Sequence, residues 1–89
     1  MDFGKEVTEI TDGIRDLLIE KNKSYGDAAL NPIRIFSKSD SSEQIKVRID
    51  DKLSRLSKGN EYLDEDTILD LIGYLVLLKV SQASRNKGI

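Results

Sequence analysis

The chain has 89 residues, 38% hydrophobic and 34% charged, and this length predicts one domain spanning residues 1–89. Fourteen Lys and Arg are balanced by 16 Asp and Glu, and the net charge of −2 argues against a general coat for nucleic-acid polymers or anionic membranes. Cysteine and histidine are absent, which excludes disulfides, thiolate nucleophiles and histidine general bases. Any chemistry must therefore use carboxylates, Lys, Arg, Tyr, Ser or Thr.

The first predicted element is a helix from about Phe3 to Asn22. Its apolar residues follow spacings of four, three, four and three, the period of one helix face, and they are Phe3, Val7, Ile10, Ile14 and Leu17. A polar turn at residues 21–27 follows, with Gly26 able to end the helix. After Pro32, apolar residues at 33–36 predict a short connecting helix.

Two further long helices are predicted. The second runs from about Ser42 to Ser57, because Asp40 is placed to cap it and the sequence Lys-Gly-Asn at 58–60 is typical of a helix end. The third runs from near Asp64, a suitable N-cap, to about Ala83, with residues 84–89 as a frayed tail. The expected fold is therefore all-α, with three long helices, a short connecting helix and a core over about residues 3–83.

The third helix is apolar around nearly its whole circumference, through Ile68, Leu69, Leu71, Ile72, residues 75–78 and Val80. A helix of this kind needs covering on all sides, which two other helices in a short chain can hardly provide. We therefore expect a homo-oligomer, most simply a dimer. A monomeric three-helix bundle with one adhesive face is the alternative.

The sequence offers no feature of a membrane protein or a secreted protein. Charges occupy the first six positions, and the longest apolar stretch, residues 71–80, is broken by Gly73 and Lys79. That stretch is well short of the roughly 20 residues of a membrane span. Together with the absence of cysteine, this pattern favours a cytoplasmic location without membrane partners.

The second helix carries a row of cations at Arg48, Lys52 and Arg55, with Lys52 directed towards the core. Their positions at i, i+4 and i+7 place them beside the apolar face, where they require anions. The anions are either a ligand's phosphates or the carboxylates of Asp66 and Asp70, which are four residues apart on one face of the third helix.

Asp70 is surrounded in sequence by Leu69, Leu71 and Ile72, so its carboxylate must be paired or metal-bound. An interhelical salt bridge and a metal site are both open. Asp66 near the helix start is explained equally by the helix dipole. Asp51 is a candidate metal ligand or a solvated surface acid.

A second cluster lies in the turn after the first helix, where Lys21 and Lys23 are candidates for phosphate contact and Tyr25 for base stacking. The lysines equally suit the negative end of a helix without any ligand. Tyr74 is a further candidate stacking ring, with a core tyrosine as the alternative.

Three blocks in this order resemble the small all-α domain of phage and prophage proteins called nucleotide-modification-associated, itself similar to MazG-type all-α nucleoside triphosphate pyrophosphatases. The blocks are KNKSYGD at 21–27, RIDDKLSRL at 48–56 and EDTILDLIGY at 65–74. The resemblance implies an oligomeric, nucleotide-binding protein of the host cell cytoplasm. It also implies that water activated by Mg²⁺ attacks a nucleoside triphosphate.

Residue by residue, Asp70 matches the aspartate of the E-x-x-D metal motif, whereas Thr67 stands where its glutamate would be. Asp66 and Asp51 are the other expected magnesium ligands. Two alternatives remain beside the hydrolase: a non-catalytic sponge that retains a signalling nucleotide of cyclic or ADP-ribose type in phage counter-defence, and an interaction bundle without a ligand.

Overall fold

The computed structural model describes residues 1–24, Leu30, Phe36, 40–59 and 66–86, with side chains up to Ala83. In this part of the chain there are three α-helices and no strand: α1 (Phe3–Ser24), α2 (Ser41–Lys58) and α3 (Thr67–Asn86). The all-α prediction is therefore confirmed. The predicted short connecting helix lies outside the described residues except for Phe36, which is 96% exposed.

The ends of α2 are set by the residues that the sequence indicated. The Asp40 side chain accepts a hydrogen bond from the Glu43 backbone N–H at 2.8 Å, which satisfies a donor that the first turn leaves open. At the other end Gly59 adopts a left-handed conformation with φ of 69°, and its N–H bonds back to the last turn. Both predictions are confirmed.

We expect Gly59→Ala to lower the free energy of unfolding by about 1 kcal/mol, because a Cβ disfavours the left-handed conformation. No atom of the described residues lies within 4 Å of the position that this Cβ would take, so we attribute the cost to backbone conformation. Urea unfolding of the two proteins measures it, and an unchanged midpoint would contradict the assignment of this helix end.

The predicted N-cap of α3 is wrong by two residues. Asp66, rather than Asp64, caps the helix: its carboxylate accepts from the Leu69 N–H at 2.9 Å, and its carbonyl accepts from the Asp70 N–H. Helix α3 therefore begins at Thr67. At its other end it extends to Asn86, three residues beyond the predicted end at Ala83.

Helices α2 and α3 form an antiparallel hairpin. The buried hydroxyls of Ser42, at the start of α2, and Ser81, near the end of α3, share a hydrogen bond. Lys52 near the end of α2 meets Asp70 at the start of α3. Because residues at the start of one helix meet residues at the end of the other, α2 and α3 run in opposite directions.

Helix α1 is attached to this hairpin through α3 alone, as far as the described residues show. Ile14 is 6% exposed, and Leu18 lies against Gly73. Towards the N-terminus the same apolar face is uncovered: Phe3 is 75% exposed and Ile10 is 56% exposed. Helix α1 begins at Phe3, but no described element lies over the first half of its apolar face.

None of the helices in residues 1–24, 40–59 and 66–86 has the length and apolar content needed to span a bilayer.

Candidate functional site

A partly open cleft of about 330 Å³ lies between the second half of α1 and the first half of α3. Helix α1 contributes Leu17, Leu18, Lys21 and Asn22, and helix α3 contributes Leu69, Asp70, Gly73, Tyr74 and Leu77. This volume is at the low end of the ~300–1,000 Å³ range of small-molecule sites.

Gly73 makes room for the cleft. A Cβ at this position would lie 3.5 Å from Leu18 Cδ2, an ordinary van der Waals contact, so glycine is not required by a clash. Its lack of a side chain instead leaves the floor between the two helices open. Leu69, Gly73 and Leu77 recur every four residues, which is why they face α1 together.

The cleft is lined mainly by leucine side chains, and polar side chains lie beside them at the end of α1 and the start of α3. Leucines from both helices form its walls, whereas Lys21 and Asn22 come from the last turn of α1. Asp70 lies in the first turn of α3 and Tyr74 one turn later. The arrangement thus combines an aromatic ring, a cation and a carboxylate around one small volume.

Asp70 connects the cleft with α2. Its Oδ2 lies 3.3 Å from Lys52 Nζ, and the two side chains are 31% and 11% exposed, respectively. Lys52 is thus directed into the α2–α3 interface, as its position on the helix predicted. The salt bridge is one of the two alternatives that the sequence leaves open for Asp70. The Asp70 carboxylate is partly exposed and also lines the cleft.

The cation row of α2 is not gathered at the cleft. Arg48 is exposed, and Arg55 lies 3.7 Å from Asp51 on its own helix. The sequence offers a ligand's phosphates as one of two alternative partners for these cations, whereas the cleft in the described residues is lined by α1 and α3. The α2–α3 seam is instead closed by the Lys52–Asp70 salt bridge and the serine pair.

The two lysines of the turn cluster have different surroundings. Lys21 lines the cleft, whereas Lys23 is exposed and is not part of its lining. Two residues apart on a helix correspond to about 200°, so the side chains leave α1 on nearly opposite sides. Tyr25, the third member of the cluster, lies outside the described residues.

The three expected magnesium ligands have separate positions. Asp66 caps α3, Asp51 is beside Arg55 and Asp70 is beside Lys52. Among the described residues, no group of three acidic side chains is placed to hold a metal ion. This donor set does not fit a magnesium site by itself, and bound Mg²⁺ stays a prediction.

Sequence reasoning identified Lys21, Asp70 and Tyr74, which lie together at the cleft, but it did not assign the leucine walls or Asn22 to a site. The available signal was Gly73, an isolated glycine within an apolar helix, which indicates that space or close approach is needed at that position.

The described structure therefore defines a small all-α protein with an amphiphilic cleft beside an interhelical salt bridge. Comparison with protein-family models, curated proteins and solved structures gives no match. The resemblance to MazG-like domains accordingly stays a prediction.

Proposed function

We propose that this protein binds a nucleotide in the α1–α3 cleft. The observation that supports the proposal is the meeting of Lys21, Asp70 and Tyr74 between leucine walls in a volume of about 330 Å³. A planar base needs apolar walls or a ring to pack against, and a sugar and phosphate need polar partners.

The electrostatics of the cleft suit a phosphorylated ligand. Lys21 supplies an ammonium donor at one side of the cleft. On the other side, the N–H groups of Leu69 and Asp70 already bond to Asp66, so Lys21 supplies the attraction for a phosphate. Asp70 is an acceptor suited to a sugar hydroxyl or a base amino group.

The dispersed carboxylates favour retention of the ligand over its hydrolysis. Phosphate hydrolysis of the MazG type needs a metal held by several carboxylates, and the described acids are engaged separately. Binding without turnover is the function that the cleft supports best. For a phage-encoded protein, as the resemblance implies, this corresponds to a nucleotide sponge, and the cleft volume suits one nucleoside unit better than two.

We expect Lys21→Ala to weaken nucleotide binding at least about tenfold, because a hydrogen bond to a charged group contributes roughly 1.5–3 kcal/mol. Lys23→Ala is the matched control: it removes the same charge two residues away, outside the cleft, and should change the affinity less than about twofold. Calorimetric titration with AMP, ATP and dATP measures both variants. Equal losses in the two variants, or no binding of any nucleotide, would contradict the proposal.

The same titrations with Mg²⁺ and with EDTA separate the two nucleotide functions. A sponge binds in EDTA, and chromatography after denaturation recovers the nucleotide intact. A pyrophosphohydrolase requires Mg²⁺ and releases pyrophosphate together with the monophosphate. The third alternative, a bundle without a ligand, predicts that no nucleotide raises the melting temperature, although binding to the native state must raise it.

A further inference from the structure

The first half of α1 carries an apolar stripe with no covering element among the described residues. Phe3, Val7 and Ile10 are 75%, 43% and 56% exposed. They continue the line of Ile14 and Leu17, which α3 partly covers. The stripe keeps a four-three spacing over four helical turns, which is the pattern of a helix that packs lengthwise against another helix.

Helix α3 has a second uncovered stripe. One of its faces meets α2 through Ser81, which bonds to Ser42, and another lines the cleft with α1. The remaining face, which we call the outer face, consists of Ile68, Ile72, Leu75, Val76 and Lys79. Ile68 is 57% exposed, Leu75 45% and Val76 38%, whereas Ile72 is half-buried.

The two stripes have opposite charges around them. Residues 1–13 contain one lysine and four acidic residues, namely Asp2, Glu6, Glu9 and Asp12. On α3, Lys79 is the charged residue of the outer face, whereas Asp70 of the same helix lines the cleft. Glu6 is adjacent in sequence to Val7 of the first stripe, and Lys79 belongs to the outer face. The apolar stripe of α1 therefore has a negative charge beside it, and that of α3 has a positive charge.

We propose that the first half of α1 packs onto the outer face of α3 in a second copy of this chain. The exchange is reciprocal, so the two copies form a two-fold dimer in which both stripes are covered. Pairing α1 with α1 would bring two acidic segments together, and pairing α3 with α3 would bring the two copies of Lys79 together. Only the crossed arrangement brings opposite charges together.

The test is a charge exchange measured on the full chain by sedimentation equilibrium. Glu6→Lys and Lys79→Glu should each weaken dimerisation about threefold to tenfold, since each variant places like charges across both symmetric contacts. The double variant should recover most of the loss. Circular dichroism confirms the fold, which neither exposed position is expected to disturb.

Asp12→Lys is the control, because Asp12 is nine residues from Phe3 and lies on the opposite face of α1. It makes the same charge change as Glu6→Lys and should leave the dimer constant within about twofold. Dimerisation that responds to Glu6→Lys but not to Lys79→Glu would indicate α1–α1 pairing, and dimerisation that responds to Lys79→Glu but not to Glu6→Lys would indicate α3–α3 pairing. Either result, or a monomer at every concentration, would overturn the proposal.

Discussion

Lys52→Met is expected to lower the free energy of unfolding by about 2–3 kcal/mol. The substitution leaves the Asp70 carboxylate without the ammonium that lies 3.3 Å away, in a position where its side chain is only 31% exposed. Breaking a fully buried ion pair typically costs about 3–5 kcal/mol, and partial hydration of Asp70 reduces that figure. Urea unfolding followed by circular dichroism measures the change.

Two controls separate the ion pair from loss of the lysine stem. In Lys52→Met with Asp70→Leu, both charges are replaced by apolar groups, so most of the lost stability should return. In Arg55→Met, the lost pair with Asp51 spans 3.7 Å and is more exposed, so the cost should be below about 1 kcal/mol. If Lys52→Met and Arg55→Met unfold at the same denaturant concentration, the interhelical pair is not a stabilising contact.

Gly73→Leu is expected to weaken nucleotide binding at least about tenfold, while helix α3 is retained. The new side chain would project from the floor of the cleft towards Leu18 and take up volume that the base needs. Leucine is favoured over glycine within a helix by about 0.8 kcal/mol, so α3 itself should not be weakened. Calorimetric titration gives the affinity, and thermal unfolding gives the stability.

Gly13→Leu is the matched control for this variant. It introduces the same side chain in the middle of α1, where no atom lies within 4 Å of the new Cβ. The free energy of unfolding should rise by a similar amount, because leucine is favoured over glycine in a helix. The affinity for nucleotide should stay within about twofold of the wild-type value. Unchanged binding by Gly73→Leu would place the ligand elsewhere on the protein.

Local signals in the sequence determine the helices well. Asp40 and Gly59 end α2 as predicted because a cap acts over three or four residues that are adjacent in the chain. The predicted start of α3 lies too early because aspartates stand at both 64 and 66, and each is a competent capping residue. Which of them caps depends on where α3 meets α2, and sequence alone does not give that register.

The salt bridge was also accessible from sequence, since a lysine directed at the core and an aspartate among apolar residues each require a partner. The cleft was not. Because α3 is apolar around its circumference, its pattern does not reveal which face meets α1 and which meets α2. The sequence therefore indicates single residues such as Lys21, Asp70 and Tyr74, without the leucine walls that stand beside them in the structure.

Among the described helices, α1 is attached through α3 only, which has a thermodynamic consequence for the cleft. One wall of the cleft belongs to α1, so the binding volume exists only while α1 is docked on the hairpin. A helix held by few contacts undocks at low free-energy cost without global unfolding. The apparent affinity for any ligand of the cleft is then the intrinsic affinity multiplied by the docked fraction, and contacts that hold α1 in place strengthen binding without touching the ligand.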